Sequence, residues 1–212
     1  MDNLRKRHNS HKRNLITHWV KPHAVVLDCG CGRGGDFHKW KLVNARVVAI
    51  DPDNESLCEA QRRAVEIGLP VWFLGEGDIR QAAFAGPYDV VCYNFSLQYI
   101  VNSWEHSIQA IKCSVKKGGH LIGIVPEKSL FRRASSPDNL GNTFQVLGDT
   151  VLVHLVDGPF YADGPKEEPL LDGERFRQAL EPEFTCLEWT PLVPVPSGYI
   201  TDVYAQFVFL RM

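Results

Sequence analysis

Val26-Leu27-Asp28-Cys29-Gly30-Cys31-Gly32-Arg33-Gly34-Gly35-Asp36 decides the fold. The apolar run that enters it, Ala24 to Leu27, predicts a buried parallel strand over 24–28. The chain then breaks into glycines and small residues and takes up a helical pattern at Phe37-His38-Lys39-Trp40, predicting a helix over 36–41. Such a strand–loop–helix unit brings backbone N–H groups close to a ligand, because glycine turns sharply and carries no side chain to hold the ligand off. A second apolar run, Arg46-Val47-Val48-Ala49-Ile50, ends in Asp51. A carboxylate about 20 residues beyond a glycine loop can accept both hydroxyls of a ribose. The segment therefore predicts a nucleoside-containing cofactor. Gly30, Gly32 and Gly35 also satisfy G-x-G-x-x-G, so a dinucleotide stands as a competing ligand at this level.

Working outward, strands and helices alternate. Leu4 to Val20 has helical spacing, with His8, Lys12, Leu15 and Trp19 on one side. A helix follows from Asn54, its expected N-cap, to about Ile67, with Leu57, Ala60, Gln61 and Ala64 facing inward. Then come a strand over 71–74 ending at Gly77-Asp78, a strongly apolar strand Tyr88 to Asn94, and a helix over 103–115 carrying Trp104, Ile108 and Ile111. A turn at Lys117-Gly118-Gly119 leads into a strand from His120 to Val125. This alternation predicts an α/β doubly wound, mostly parallel, Rossmann-like sheet with helices on both faces and its site at the carboxyl ends of the strands. After Pro126 the pattern changes to a strand pair, 142–147 and 150–156, around Gly148-Asp149. A Pro/Gly/acid-rich loop over 158–169, a helix over 172–180 and a strand over 201–210 complete it. We expect a single domain over 1–212, with 1–20 a basic N-terminal helix and 127–212 a substrate-side extension.

Composition narrows the class. The 212 residues are 44% apolar, enough for one α/β core. No apolar run approaches the roughly 20 residues of a membrane span, and Met1 to Lys12 is polar and basic, unlike a signal peptide. The six cysteines show no C-x-x-C pair and read as reduced, packed thiols, so a metal is not expected and a cytoplasmic-type compartment is, with a nuclear one also compatible. Formal net charge is −2, but Arg5, Lys6, Arg7, Lys12 and Arg13 load the N-terminus and Arg33, Lys39, Lys41, Arg62 and Arg63 follow. A basic segment beside a cofactor loop suits a polyanionic substrate.

The phrase D-x-G-C-G-x-G-G-D resembles the first motif of S-adenosylmethionine (AdoMet) methyltransferases. Across nearly the whole chain the residues resemble one family, the mRNA cap guanine-N7 methyltransferases. The family's L-R-x-F-N-N-W-I-K-S-x-L-I is matched by Leu4 to Ile16, its V-L-D-L-G-C-G-K-G-G-D-L-x-K-W by Val26 to Trp40, its Q-F-x-x-H-Y by Asn94 to Tyr99, and its L-K-P-G-G-x-x-I-G-T-x-P by Val115 to Pro126. The compact size and diverged spelling look viral. The resemblance implies the class I methyltransferase fold, with its seven-stranded type of sheet, AdoMet as cofactor with S-adenosylhomocysteine as product, and 5'-capped RNA or a cap analogue as partner.

By position, it places Lys12, Gly30, Gly32, Asp36, Asp51, Asp78, Asn94 and Tyr99 at the cofactor, with Asp51 on the ribose, Asp78 at the adenine edge and Lys12 on the methionine carboxylate. It places Asn9, Arg33, Lys39, Arg63, Gln98, Tyr99, Glu168 and Tyr204 at the cap. Arg33, Lys39 and Arg63 would neutralise triphosphate charge. Glu168 would accept from the guanine amino and imino edge, and Tyr204 would wall the base. The chain departs from the family where Gln98 replaces a histidine, Asn94 a glutamine and His8 an asparagine, and where E-Y-L-V becomes Glu167-Glu168-Pro169-Leu170-Leu171. Glu168 aligns with the family's glutamate; Glu167 is the alternative.

The implied reaction is in-line methyl transfer to guanine N7. That nitrogen owns an available lone pair and loses no proton, so neither a general base nor a metal is expected, and Tyr99 and Glu168 act by positioning. The competing readings are a methyltransferase of a small metabolite, a non-catalytic methyltransferase-like subunit, and a dinucleotide oxidoreductase.

Overall fold

A computed structural model of the protein describes residues 4–81, 86–156 and 161–212. The first positions of the expected 158–169 loop, and residues 1–3 of the basic N-terminal segment, lie outside the described residues. The chain runs through α1 (Leu4–Trp19), β1 (Val25–Cys29), α2 (Phe37–Leu42), β2 (Arg46–Asp51), α3 (Asn54–Ile67), β3 (Val71–Glu76) and β4 (Tyr88–Asn94). It continues through α4 (Trp104–Ser114), β5 (Val115–Pro126), β6 (Thr143–Leu147), β7 (Thr150–His154), β8 (Lys166–Pro169), α5 (Gly173–Leu180), β9 (Phe184–Pro191) and β10 (Tyr204–Arg211).

Seven strands form one sheet in the order β3-β2-β1-β4-β5-β10-β9. The first five are parallel, and β10 and β9 run antiparallel. β1 has β2 on one side and β4 on the other, so the loops leaving β1 and β4 part over a crevice at the carboxyl edge. Central parallel strands are buried on both faces. Along β1, Val26 joins the core under α1, α2 and α3, while its neighbour Leu27 joins the core under α4 and α5. Each fully buried side chain of this kind contributes on the order of 1.5–3 kcal/mol. The doubly wound α/β expectation holds.

Local details depart from the sequence reading for definable reasons. The N-cap of α3 is Asp53, not Asn54: its carboxylate accepts from the amides of Glu55 and Ser56 at 3.3 and 3.2 Å, which also places negative charge at the helix's positive end. Gln61, expected inward, is exposed, whereas Leu57, Ala60 and Ala64 are buried. The expected turn at 117–119 is an irregularity inside the long β5, where the pairing with β4 shifts register between Tyr88 and Val90. A Cβ on Gly119 would lie 2.8 Å from the carbonyl of Asp89, so only glycine lets the two strands stay this close.

The larger differences lie after Pro126. The 158–169 loop ends in a strand, β8, which pairs with β7 to complete a separate three-stranded antiparallel sheet, β6-β7-β8. Strand β9, absent from the sequence reading, is a largely exposed edge strand, and β10 starts at Tyr204 after a tight helical turn at Ile200–Val203. No described helix is long and apolar enough to cross a membrane.

Candidate active site

The site is built from the carboxyl ends of β1, β2 and β4. After β1 the chain turns at Gly30 and Gly32, with φ of 71° and 51°. The amides of Gly30 and Cys31 both donate to the Ile50 carbonyl, at 2.8 and 3.0 Å, and the Gly32 amide donates to Asp51 Oδ2 at 2.7 Å. The loop is thus stitched to the end of β2. Asp51 Oδ1 accepts from the Asp53 amide at 3.0 Å. A carboxylate offers about four lone-pair directions, so each Asp51 oxygen keeps acceptor capacity for a diol. A Cβ on Gly32 would meet nothing within 4 Å: the loop borders open space there.

Behind the loop lies a buried polar network. Asp36 begins α2 but makes no side-chain cap bond. Its carboxylate pairs instead with Lys12 at 2.6 Å and Lys39 at 2.9 Å, and accepts from Asn94 Nδ2 at 2.9 Å. Burial raises the Asp36 carboxyl, but the two ammonium groups outweigh it and hold it below the usual carboxylate range. Beneath it, Asp28 accepts from the Trp40 indole N–H at 2.8 Å and is pushed up to about 7, by burial first and by the charge of Asp36 second. The second amide atom of Asn94, Oδ1, is buried and has no partner in the protein. An orphaned acceptor at the end of β4 fits a cationic donor in the crevice.

Lys39 corrects the sequence reading. Its Nζ contacts Asp36, Asn9 Oδ1 at 2.9 Å and the Gly35 carbonyl at 2.9 Å, and the residue is 5% exposed. Three acceptors match the three protons of an ammonium, so Lys39 braces α1 against the glycine loop instead of facing a triphosphate. Of the other cations, Arg33 is exposed at the loop tip. Arg63 pairs with Glu59 at 2.6 Å and, with Arg5, Asn9, Lys12 and His38, lines a groove of about 490 Å³ between α1 and α3. Asp78 sits apart, at the rim after β3, where it accepts from the Arg80 amide and guanidinium at 2.9 and 2.8 Å.

A second cluster gathers across the crevice. Glu168, on β8, is buried, and its Oε2 accepts from Gln98 Nε2 at 3.1 Å while its Oε1 accepts from the Tyr161 hydroxyl. Gln98 also donates to the Phe95 carbonyl at 3.2 Å. Glu167 points the other way and accepts from Thr150 at 2.7 Å. Burial, together with the charge of Glu168, pushes the phenols of Tyr99, Tyr161 and Tyr204 well above the usual range, which keeps them protonated donors. Tyr99 is 42% exposed at the mouth, whereas Tyr204 is buried.

Tyr204 packs edge-on against Phe95 at 5.0 Å, and His8 lies 4.8 Å from Phe95 and 5.1 Å from Tyr204. Burial, Lys12 and His11 lower His8 to about 3, so it is a neutral aromatic at working pH. Phe95 adopts φ 65°, a conformation rare for a bulky residue, at the turn where β4 ends.

Sequence reasoning missed Tyr161, which belongs to no motif; its contact is with Glu168, seven positions on. It also missed the packing of the half-buried His8 against Phe95 and Tyr204, although the departure from the family's asparagine marked the position. Among the described residues, no group of three or more His, Cys, Asp or Glu converges as a metal-binding set.

The strand order, glycine loop and acidic end of β2 define the class: this is the class I methyltransferase fold. An S-adenosylmethionine-dependent methyltransferase from Clostridium acetobutylicum superposes with a TM-score of 0.71 over 99% of this chain and 93% of that one, at 17% identity. Residues 26–119 match a family model described as a methyltransferase domain. More particularly, the sequence is similar to mRNA cap guanine-N(7) methyltransferases. It is 32% identical over 145 residues to that of Eremothecium gossypii, and 31% identical over 145 residues to that of Saccharomyces cerevisiae, in each case over 61% of this chain. The chain spans about a third of the length of these curated relatives, 34% and 33% respectively.

Proposed function

We propose that this chain transfers a methyl group from AdoMet to guanine N7 of the 5' cap of RNA. The observation that carries the reading is Glu168: a buried carboxylate, held by Gln98 and Tyr161, whose charge reaches Tyr204, which packs edge-on against Phe95. A carboxylate there pairs with the adjacent N1–H and N2–H donors of guanine, whereas adenine presents a bare N1 acceptor and no 2-amino group at that edge. The similarity to fungal cap methyltransferases supports the same substrate.

The residues present fit AdoMet. Asp51 would hold the ribose hydroxyls, the Gly30–Gly32 backbone would lie along the methionine portion, and the orphaned Asn94 Oδ1 beside Asp36 would receive the ammonium. Lys12 is committed to Asp36 in this arrangement, so its contact with the methionine carboxylate would use its remaining protons. Asp78 would face the adenine edge from the rim. AdoMet supplies an electrophilic methyl group on a sulfonium.

The protein's part is orientation and electrostatics. Guanine N7 attacks with a lone pair and releases no proton, so no side chain acts as base. The ring gains positive charge as the bond forms, and the fixed carboxylate of Glu168 favours that charge more strongly in a water-poor cleft. Tyr204 and Phe95 would wall the base, Tyr99 would cover it, and Arg33 and Arg63 would meet the triphosphate.

The test is nucleoside analysis after incubation with AdoMet and RNA carrying an unmethylated cap. Recovery of 7-methylguanosine from the cap supports the reading. Recovery of a 2'-O-methylated or internal methylated nucleoside alone contradicts it.

A further inference from the structure

Tyr161 belongs to no motif, yet it makes the second fixed contact to the carboxylate at the centre of the site. It lies just ahead of β8, seven positions before Glu168, and its hydroxyl donates to Oε1 while Gln98 donates to Oε2. Tyr161, Gln98 and Glu168 are 8%, 2% and 7% exposed. One donor sits on each oxygen, one from the turn after β4 and one from the entry to β8, so the plane of the carboxylate is fixed at two points. A carboxylate held this way presents its remaining lone pairs side by side, which matches the two neighbouring donors of guanine. With one point removed, the carboxylate can turn about its last torsion, which is broad and costs little to rotate.

We propose that Tyr161 is a specificity-determining positioning residue: by clamping Glu168 Oε1 opposite Gln98, it sets the geometry that reads the N1–H and N2–H edge of guanine. The proposal rests on the cap-guanine reading of the site. Burial and the neighbouring Tyr204 and Glu168 raise the Tyr161 phenol, so its proton stays available to donate at neutral pH.

The experiment compares the full chain with Tyr161→Phe, which keeps the ring and removes the hydroxyl. Calorimetry measures binding of a guanine-capped dinucleotide and of its inosine-capped counterpart, which lacks the 2-amino group; AdoMet affinity and thermal melting report the fold separately. We expect the wild type to favour the guanine cap, and Y161F to lose on the order of tenfold in guanine-cap affinity. Inosine-cap affinity should change little, so that the preference collapses, with AdoMet binding within about twofold. A preference retained in Y161F, or an equal loss for both caps, overturns the positioning role. Failure of the wild type to bind the guanine cap while binding AdoMet overturns the underlying cap reading, and with it this proposal. A wild type that binds both caps equally overturns the edge-reading role alone.

Discussion

Two glycines of the same motif, Gly30 and Gly32, carry different constraints. A Cβ on Gly30 would lie 2.5 Å from Ser96 Cβ at a φ of 71°, whereas a Cβ on Gly32 would meet no atom within 4 Å. Gly30→Ala therefore forces backbone movement and should destabilise the protein by about 1–3 kcal/mol, while Gly32→Ala should cost about 1 kcal/mol or less. Both should weaken AdoMet binding, because the added methyl at Gly32 enters the space the cofactor would use. Urea unfolding beside AdoMet titration checks the order; equal destabilisation by the two changes would contradict it.

His8 supplies a pH signature at the same scale. Its imidazole takes a proton near 6.5 when unfolded but only near 3 when folded. Between those values the unfolded chain binds more protons, so the His8 contribution to stability is intact above pH 6.5 and is lost as pH falls. Asp28, raised from 3.8 to about 7, has the opposite sign, stabilising the fold relative to neutral pH as pH falls through its window. Comparing His8→Asn with wild type cancels Asp28. The variant should gain on wild type by roughly 2 kcal/mol between about pH 7.5 and about pH 5, read from urea unfolding at both. A pH-independent difference would contradict the burial argument. The residues legible in the sequence here were those of local phrases, Gly30, Asp36 and Asp51. Tyr161 and the φ of Phe95 were not legible: Tyr161 belongs to no motif, and the Phe95 amide is held by the Ile124 carbonyl on β5, 29 positions on.

At the scale of elements, β8 decides which of two adjacent glutamates faces the site. Side chains alternate along a strand, so placing Glu168 inward turns Glu167 outward. Glu168→Gln keeps the shape but removes the charge and one acceptor pair, and should lower kcat/KM for capped RNA by about 10–100-fold; Glu167→Gln should stay within about twofold. Methyl-transfer kinetics with both variants check this, and a larger loss in E167Q would contradict the register of β8. The sequence left the two glutamates open because β8 has only four residues, two of them glutamates and one proline, with no alternation to read. The edge strand β9 was hidden for a related reason: most of its positions are exposed or half-buried, so no apolar stripe marks it. By contrast, β1, β2 and β4 were legible because buried parallel strands are apolar on both faces.

At the scale of the whole molecule, the alternation of strands and helices through Val125 foretold the parallel half of the sheet. The strand pair around Gly148-Asp149 foretold β6 and β7, but nothing local foretold β8, which pairs with β7 to complete the three-stranded sheet. That small sheet brings Glu168 to Gln98, so the substrate side of the site depends on the least legible part of the chain. A cofactor that binds only the folded state stabilises it by mass action, by about 2.7 kcal/mol at a concentration 100 times its Kd. AdoMet should therefore raise the melting temperature where NAD does not; a shift with NAD alone would return the glycine loop to the dinucleotide reading.

The central claim is that the methyl group goes to guanine N7 of the cap, and transfer of labelled methyl from AdoMet to two RNAs in parallel tests it most directly: one with an unmethylated guanine cap, the other already methylated at N7. The account predicts label on the first and none on the second. Label on both would place the acceptor elsewhere on the RNA and contradict it.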